Sequence, residues 1–345
     1  MKNNHVTKLE IDLNAVDFNL NFFKSKLKKT TKVLVVVKAF GYGSSSTKIS
    51  KHLENKVDYF AVAYANEGIA LRNAGISKPI LVLHPQLANL KSLIQHNLEP
   101  NIYSFKLFSE FISVLKNEAI NNYPIHLKFN TGLNRLGFCE EDITKIVELV
   151  KTSKEIKVAS VFSHIAASED LNEKEFTLQQ IALFNLISKK LIDQLDYIPM
   201  KHMLNTSGII NYSNEAQFNM VRLGIGLYGF ANQTDITSTL KNVLQLKSVI
   251  SQIHTIQKGE TVGYNRAFKA EEIIKTATIP IGHADGISRQ LSNGNGYVYI
   301  KNKKAAIVGN VCMDMIMVNV TNIDCNEGDE VIVYKNQQHI HILAK

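Results

Sequence analysis

The stretch VLVVV at 33–37, running straight into Lys38 and then AFGYG at 39–43, decides how this chain folds. Five consecutive apolar residues, four of them β-branched, suit a strand buried on both faces, which is what a parallel sheet under helical crossovers requires. Runs of the same kind recur at YFAVAY (59–64), PILVL (79–83), NIYS (101–104), IHLKF (125–129), VASVFS (158–163), KHMLN (201–205) and VRLGIGLYG (221–229). The segments between them have helical periodicity. FKLFSEFISVLKN at 105–117, for instance, places apolar residues at helical i, i+3, i+4 and i+7 intervals. Eight strand–helix units within roughly 200 residues predict an α/β fold, a (β/α)8 TIM-type barrel over residues 1–235. From 236 to 345 the texture changes to short β-branched runs such as GYVYIKN, AAIVGNV and DEVIVYK, with turns like SNGNG and NEGDE between them. That pattern predicts a mostly-β C-terminal domain.

The composition narrows the function classes. With 45% hydrophobic and 20% charged residues in 345, the chain is neither disordered nor fibrous. The net charge of +8 comes from scattered lysines, without a long basic run interleaved with aromatics. A solvated lysine-rich surface is therefore expected, with no nucleic-acid partner and a mild attraction for small anions. Cys139, Cys312 and Cys325 lie far apart with no CxxC spacing. Neither a disulfide framework nor a metal site is expected, and a reducing compartment is. No apolar run reaches membrane-spanning length and the first residues lack an apolar leader core, so a cytoplasmic protein without a membrane partner is predicted.

In such a barrel, function sits at the carboxyl ends of the strands. Those ends carry Lys38 with AFGYG, KFNTGLNRLGF (128–138), SHIAASE (163–169), NTSG (205–208) and RLGIG (222–226). A lysine after an apolar strand, taken alone, snorkels outward. The Gly-Tyr-Gly beside Lys38 changes the weighting, because it lets backbone approach a ligand closely. A lysine in an apolar mouth is also partly dehydrated, which favours the neutral amine that forms Schiff bases.

Taken in order, VVVKAFGYG (35–43), KFNTGLNRLGF, FSHIAASE, the NTSG run, MVRLGIGLYG, VGYNRAF (262–268), IPIGHADGISR (279–289) and VGNVCMDMIMVNVT (308–321) resemble the alanine racemase family across essentially the whole chain. The resemblance implies pyridoxal 5'-phosphate (PLP) as cofactor and interconversion of L- and D-alanine, with D-alanine supplied to peptidoglycan. It also implies a homodimer with shared active sites. Lys38 would form the Schiff base and act as base on one face of the substrate. Tyr264, from the partner subunit, would act on the other. His164 would stack on the cofactor, although a satisfied core histidine fits that position too. Arg222 would face the ring nitrogen, and an arginine, which does not give up its proton, leaves that nitrogen unprotonated. Gly224 and Ile225 amides with the Tyr42 and Ser207 hydroxyls would hold the phosphate, with Thr206 an alternative to Ser207. Arg135 would pair with the substrate carboxylate, joined by the Met313 amide across the dimer interface. Lys128 matches a lysine carbamylated in some members.

The family pattern is broken at three places. Asn130 stands where an aspartate is usual, which is expected to loosen charge balance near Arg135. His283 replaces the usual tyrosine of the substrate's access corridor. The sequence stops at HIHILAK (339–345), short of the family's usual end, where a further tyrosine contacts the phosphate region. Three rival readings differ in their demands. A non-catalytic PLP carrier needs only the barrel. A PLP decarboxylase wants an acidic partner for the ring nitrogen. A racemase of another small amino acid, such as serine, shares all these motifs.

Overall fold

The computed structural model describes residues 5–335, so HIHILAK lies outside the described residues. The chain divides into two compact units, Leu13–Lys241 and a second made of the flanking segments up to Asp12 and from Asn242 onward. Expecting residues 1–235 to form the barrel therefore needs correction at both ends. The first strand, β1 (Lys8–Ile11), is mostly exposed and joins the second unit, where it pairs antiparallel with residues 244–247. A short strand alternating charged and apolar residues finds half its cover at a sheet edge; a parallel barrel strand needs apolar residues on both faces.

The barrel closes through eight strands: β2 (Lys32–Val36), β3 (Tyr59–Val62), β4 (Ile80–Val82), β5 (Glu99–Ile102), β6 (Tyr123–Lys128), β7 (Ile156–Phe162), β8 (Met200–His202) and β9 (Met220–Leu223). Neighbours pair in parallel, and β9 returns to β2 with Arg222 opposite Leu34. All four residues of β3 are buried, as are the last four of β2. Each crossover helix buries one stripe. Phe105–Asn117 starts where Ser104 Oγ accepts from the Leu107 amide, and it buries Leu107, Phe108, Phe111, Ile112 and Leu115. Side chains of that size contribute roughly 1.5–3 kcal/mol each on full burial.

The predicted boundaries differ most where the site lies. The run 221–229 is strand only to Leu223; Gly224 then breaks it and Ile225–Tyr228 forms a single helical turn. AFGYG is an ordered turn, continuous with Lys38.

The second unit is built around an antiparallel sheet of β1 with β10 (Leu244–Val249), β11 (Gln252–Ile256), β14 (Ile274–Ile279), β15 (Tyr297–Ile300), β16 (Lys303–Val308), β17 (Ile316–Asn319) and β18 (Glu330–Tyr334), in the order β1-β10-β18-β15-β16-β17-β14-β11. A separate hairpin pairs β12 (Thr261–Val262) with β13 (Phe268–Lys269). Period-two burial is clear in β17, where Ile316 and Val318 point inward. These join Ala277, Ile279, Val298, Ile300 and Ile307 in one apolar core.

Candidate active site

A cavity of about 640 Å³ opens at the carboxyl ends of the barrel strands. Its lining brings together eight of the expected residues: Lys38, Tyr42, Arg135, His164, Ser207, Arg222, Gly224 and Ile225. Lys128 and Thr206 line it as well. Tyr264 and Met313 lie in the second unit.

Lys38 begins a turn of the wrong hand. Ala39, Phe40, Gly41 and Tyr42 all take positive φ, at 53°, 56°, 65° and 53°. Left-handed backbone costs non-glycine residues roughly 1–2 kcal/mol each, so this turn persists only because its surroundings hold it. Glu67 supplies one clamp, since its carboxylate accepts from the amides of Ala39 (2.6 Å), Ala63 (2.6 Å) and Tyr64 (3.1 Å). Gly41 supplies another, because a Cβ there would sit 2.8 Å from the Ser46 amide nitrogen. Tyr228 donates to the Val36 carbonyl (3.2 Å), and its ring packs 4.8 Å from that of Tyr42. Glu67 escaped the sequence reading. It opens a helix of ordinary character, and nothing local says that its carboxylate reaches back to the lysine turn.

Arg222 lies in the buried interior of the mouth. Its Nη1 donates to His202 Nδ1 (2.6 Å), while Nη2 donates to the carbonyls of Ser163 (2.7 Å) and Met203 (2.8 Å) and lies 3.0 Å from His164 Nδ1. Burial pulls its pKa down to about 9, so it stays cationic at neutral pH. His164 is pushed well below the usual imidazole range, first by burial and then by Arg222, Lys128, Arg135 and Lys38. It is a neutral, flat ring whose Nδ1 accepts from the guanidinium.

The turn after β9 is an anion cradle. Gly224 faces the Tyr42 hydroxyl so closely that a Cβ would approach it to 3.0 Å. Burial raises the Tyr42 pKa, which keeps the phenol a proton donor, and among the described residues its hydroxyl has no hydrogen-bond partner. The Gly224 and Gly226 amides both point at Thr206 Oγ1, each at 3.2 Å. Thr206 thus props the glycine loop, while Ser207 meets only a long contact from Asn232 (3.4 Å). An anion seated here shares the Gly224 donor with Thr206.

The charge in the cavity is lopsided. Among the described residues, Lys38, Lys128, Arg135 and Arg222 line it against a single carboxylate, Glu169. Lys128 shows the strain: burial, then Arg135 and Arg222, lower its pKa to about 8. Arg135 is exposed on a loop that Asn130 organises. Asn130 Oδ1 accepts from the Gly132 (3.2 Å) and Asn134 (3.0 Å) amides, and its Nδ2 donates to Asn134 Oδ1 (2.9 Å). An aspartate could not make that last bond, so the substitution tightens the loop while removing a negative charge. Gly137 closes the loop; a Cβ there would lie 2.7 Å from the Asn130 nitrogen. Among the described residues no cluster of His, Cys, Asp or Glu could hold a metal ion, and no helix is long and apolar enough to cross a membrane.

Within the second unit, the loops bearing Tyr264, His283 and Met313 are tied together. Asn310 Nδ2 donates to the Tyr264 carbonyl (3.2 Å). The His283 and Ala284 amides donate to the Cys312 (2.9 Å) and Met313 (2.8 Å) carbonyls. Gly282 is required there, because a Cβ would fall 2.4 Å from the Met313 oxygen. The backbone is fixed while the side chains are open: Tyr264 is 73% and Met313 63% exposed.

Fold and site together define a barrel protein whose mouth offers an amine, a buried guanidinium and an anion cradle to one ligand. The chain belongs to the alanine racemase family. The family's N-terminal domain model matches residues 11–232 and its C-terminal domain model residues 243–345. An alanine racemase of Fusobacterium nucleatum is 38% identical over 95% of this chain and 90% of its own length. The alanine racemase of Clostridium difficile in complex with cycloserine superposes with a TM-score of 0.91 at 32% identity, covering 100% of this chain and 92% of that one. The alanine racemase of Bartonella henselae with covalently bound pyridoxal phosphate does so at 0.85 and 27%, covering 98% and 93%.

Proposed function

We propose that this chain is a PLP-dependent racemase that interconverts L- and D-alanine. It would work as a homodimer in the cytoplasm and supply D-alanine for peptidoglycan. The carrying observation is the four-cation mouth in which the Lys38 amine shares a cavity with the buried Arg222 and the Gly224 turn. These residues fit the cofactor. The space facing Gly224 is one a Cβ would fill, the Tyr42 hydroxyl beside it has its proton to give, and the excess positive charge needs an anion. When bound, PLP supplies an electron-withdrawing ring that acidifies the substrate Cα–H.

The protein's task is then to bind, orient and move one proton. Lys38 Nζ takes or returns the Cα proton on one face. Tyr264 Oη of a second copy does so on the other, a role its exposure leaves open. Arg135 and the Met313 amide of the second copy would hold the substrate carboxylate. Tyr42, Ser207 and the Gly224 and Ile225 amides would hold the phosphate, and His164 presents a neutral face to the ring. Arg222 donates hydrogen bonds only, so it denies the ring nitrogen a proton, the opposite of what a decarboxylase carboxylate does. Three free thiols suit a reducing compartment.

The test is to incubate the purified protein with PLP, follow D-alanine formed from L-alanine, and map the lysine labelled on borohydride reduction. Racemisation with the label on Lys38 is expected. A labelled Lys38 without racemisation of alanine would overturn the activity, and a label elsewhere would overturn the site.

A further inference from the structure

Beneath the cavity, the last five strands of the barrel each contribute a buried polar side chain to one connected chain: Glu99 on β5, His126 on β6, Ser160 on β7, His202 on β8 and Arg222 on β9. His126, Ser160 and His202 are fully buried, and Glu99 and Arg222 nearly so. They touch in strand order. Arg222 Nη1 meets His202 Nδ1 at 2.6 Å, and His202 Nε2 meets Ser160 Oγ at 2.9 Å. Ser160 Oγ meets His126 Nδ1 at 2.6 Å, and His126 Nε2 meets a Glu99 oxygen at 2.7 Å. So many polar groups in a barrel core are costly unless each is satisfied.

The chemistry of the ends fixes the direction of the chain. A guanidinium only donates, so His202 Nδ1 must accept. Burial, Arg222 and His126 push His202 well below the usual imidazole range, so it is neutral and its one proton sits on Nε2. That proton goes to Ser160 Oγ, which leaves the serine hydrogen for His126 Nδ1. His126 then carries its proton on Nε2 and donates to Glu99. Every donor meets an acceptor, and the chain runs from a buried cation to a buried carboxylate. The ring of His202 is locked in place as well, stacked on Phe162 at 4.7 Å and 6°.

We propose that Glu99, His126 and Ser160 are positioning residues for Arg222: they give the His202 Nε2–H a fixed acceptor, so that the ring keeps its Nδ1 lone pair on the guanidinium and the guanidinium keeps one fixed orientation toward the cavity. Glu99 lies four strands away from Arg222 and acts on it only through the chain. The inference rests on the racemase reading for what Arg222 does, but the state of the chain is a property of the protein alone.

The experiment is 15N NMR of the imidazoles, with and without PLP, in the parent and in Ser160→Ala and Glu99→Gln. His202 and His126 are assigned by single substitution. In the parent, both rings are expected to show an unprotonated Nδ1 and a protonated Nε2. Ser160→Ala removes a single oxygen from the middle of the chain and is the variant expected to fold. It should leave the His202 Nε2–H without its acceptor, which moves that nitrogen's resonance, and lower kcat about tenfold, as the loss of one buried hydrogen bond implies. KM for alanine should change by less than about twofold, because the substrate carboxylate is bound elsewhere. Glu99→Gln keeps an acceptor for His126 and should preserve both tautomers with a smaller fall in kcat. A parent in which His202 carries its proton on Nδ1, or in which His126 is doubly protonated, overturns the proposal whether or not the protein racemises alanine. So does a Ser160→Ala protein with an unchanged His202 Nε2 resonance and unchanged kcat. Absence of racemisation with the expected tautomers would count against the racemase reading instead.

Discussion

Lys38 stands on a turn held by Glu67, Gly41 and the Tyr42–Tyr228 ring pair, whereas Tyr264 stands on a loop with 73% of its surface open to solvent. The barrel mouth has spent its folding energy on placement. It carries a run of left-handed backbone and a guanidinium with four nitrogen and oxygen neighbours. In the second unit the corresponding loops are tied down through Asn310 and Gly282, while the Tyr264 and Met313 side chains stay open. The difference separates two kinds of readiness. One set of side chains is held in place within the barrel, and the other is left open, a readiness that suits the second copy of the proposed homodimer. Variants in the first region should change the isolated chain's cofactor chemistry. Variants in the second should act only on turnover by the assembled protein.

The largest effect should come from the most tightly held position. Lys38→Ala should reduce racemisation by at least about 10³-fold and abolish the borohydride label, while far-ultraviolet dichroism is unchanged. A variant that still racemises at a rate near the parent's would show that the clamped turn serves some other purpose.

Next in size is Arg222→Glu, with a loss of about 10²-fold or more in racemisation. A carboxylate there can hold a proton for the ring nitrogen and should divert turnover toward transamination. It also leaves His202 and His164 facing an anion, which favours their charged forms. Pyruvate formation from alanine is the readout. A folded variant that racemises normally and makes no pyruvate would remove the electronic role from Arg222.

The strands β2, β3 and β4 were legible because each buries both faces, so its apolar run is continuous and carries its own signal, whereas β5 and β8, with Glu99, Asn101, Lys201 and His202 among their few residues, carry a weaker one. The motif residues at the strand ends were legible through their family spacing alone, since an arginine in VRLG or a histidine in SHIA looks ordinary locally. What the sequence hid is long-range. Glu67 reaches back across 28 positions to the Ala39 amide, and His126 reads as one polar residue inside IHLKF. The strand-like run at 221–229 misled for a related reason: its apolar residues pack around a turn, because Gly224 must leave room for the Tyr42 hydroxyl. The range 1–235 expected for the barrel takes in residues 8–11, yet the pairing partner of β1 lies more than 230 residues away.

The second region is probed by Tyr264→Phe, which removes one exposed hydroxyl and should leave folding and cofactor attachment intact. Proton exchange on one face of the substrate should fall by about 10²-fold, with the other face largely spared. Solvent-deuterium incorporation into L- and D-alanine measures the two faces separately. Equal loss for both enantiomers would mean that Tyr264 does not divide the work with Lys38.

The smallest effect concerns what the crowded charge in the barrel mouth costs. Lys128 holds its proton with a pKa of about 8 against an ordinary 10.5, through burial first and Arg135 and Arg222 next. Below about 8 the side chain is charged in both the folded and unfolded chain, and the folded state bears the full penalty of dehydration and repulsion. Between about 8 and 10.5 the unfolded chain binds a proton that the folded one has released, so stability rises with pH across that window. The difference corresponds to about 3 kcal/mol, and residual hydration at the open mouth reduces it to about 1–2 kcal/mol. Lys128→Met removes the charge and keeps most of the apolar stem. It should therefore be the more stable protein by about that amount at pH 7, with the gap closing as pH approaches 10.5. Urea unfolding of the two proteins at several pH values reads the gap directly. The opposite sign at pH 7 would mean that Lys128 does not stand there as a bare ammonium. If bicarbonate depletion then reverses the sign, the parent lysine carries a carbamate, whose negative charge would relieve the repulsion from Arg135 and Arg222.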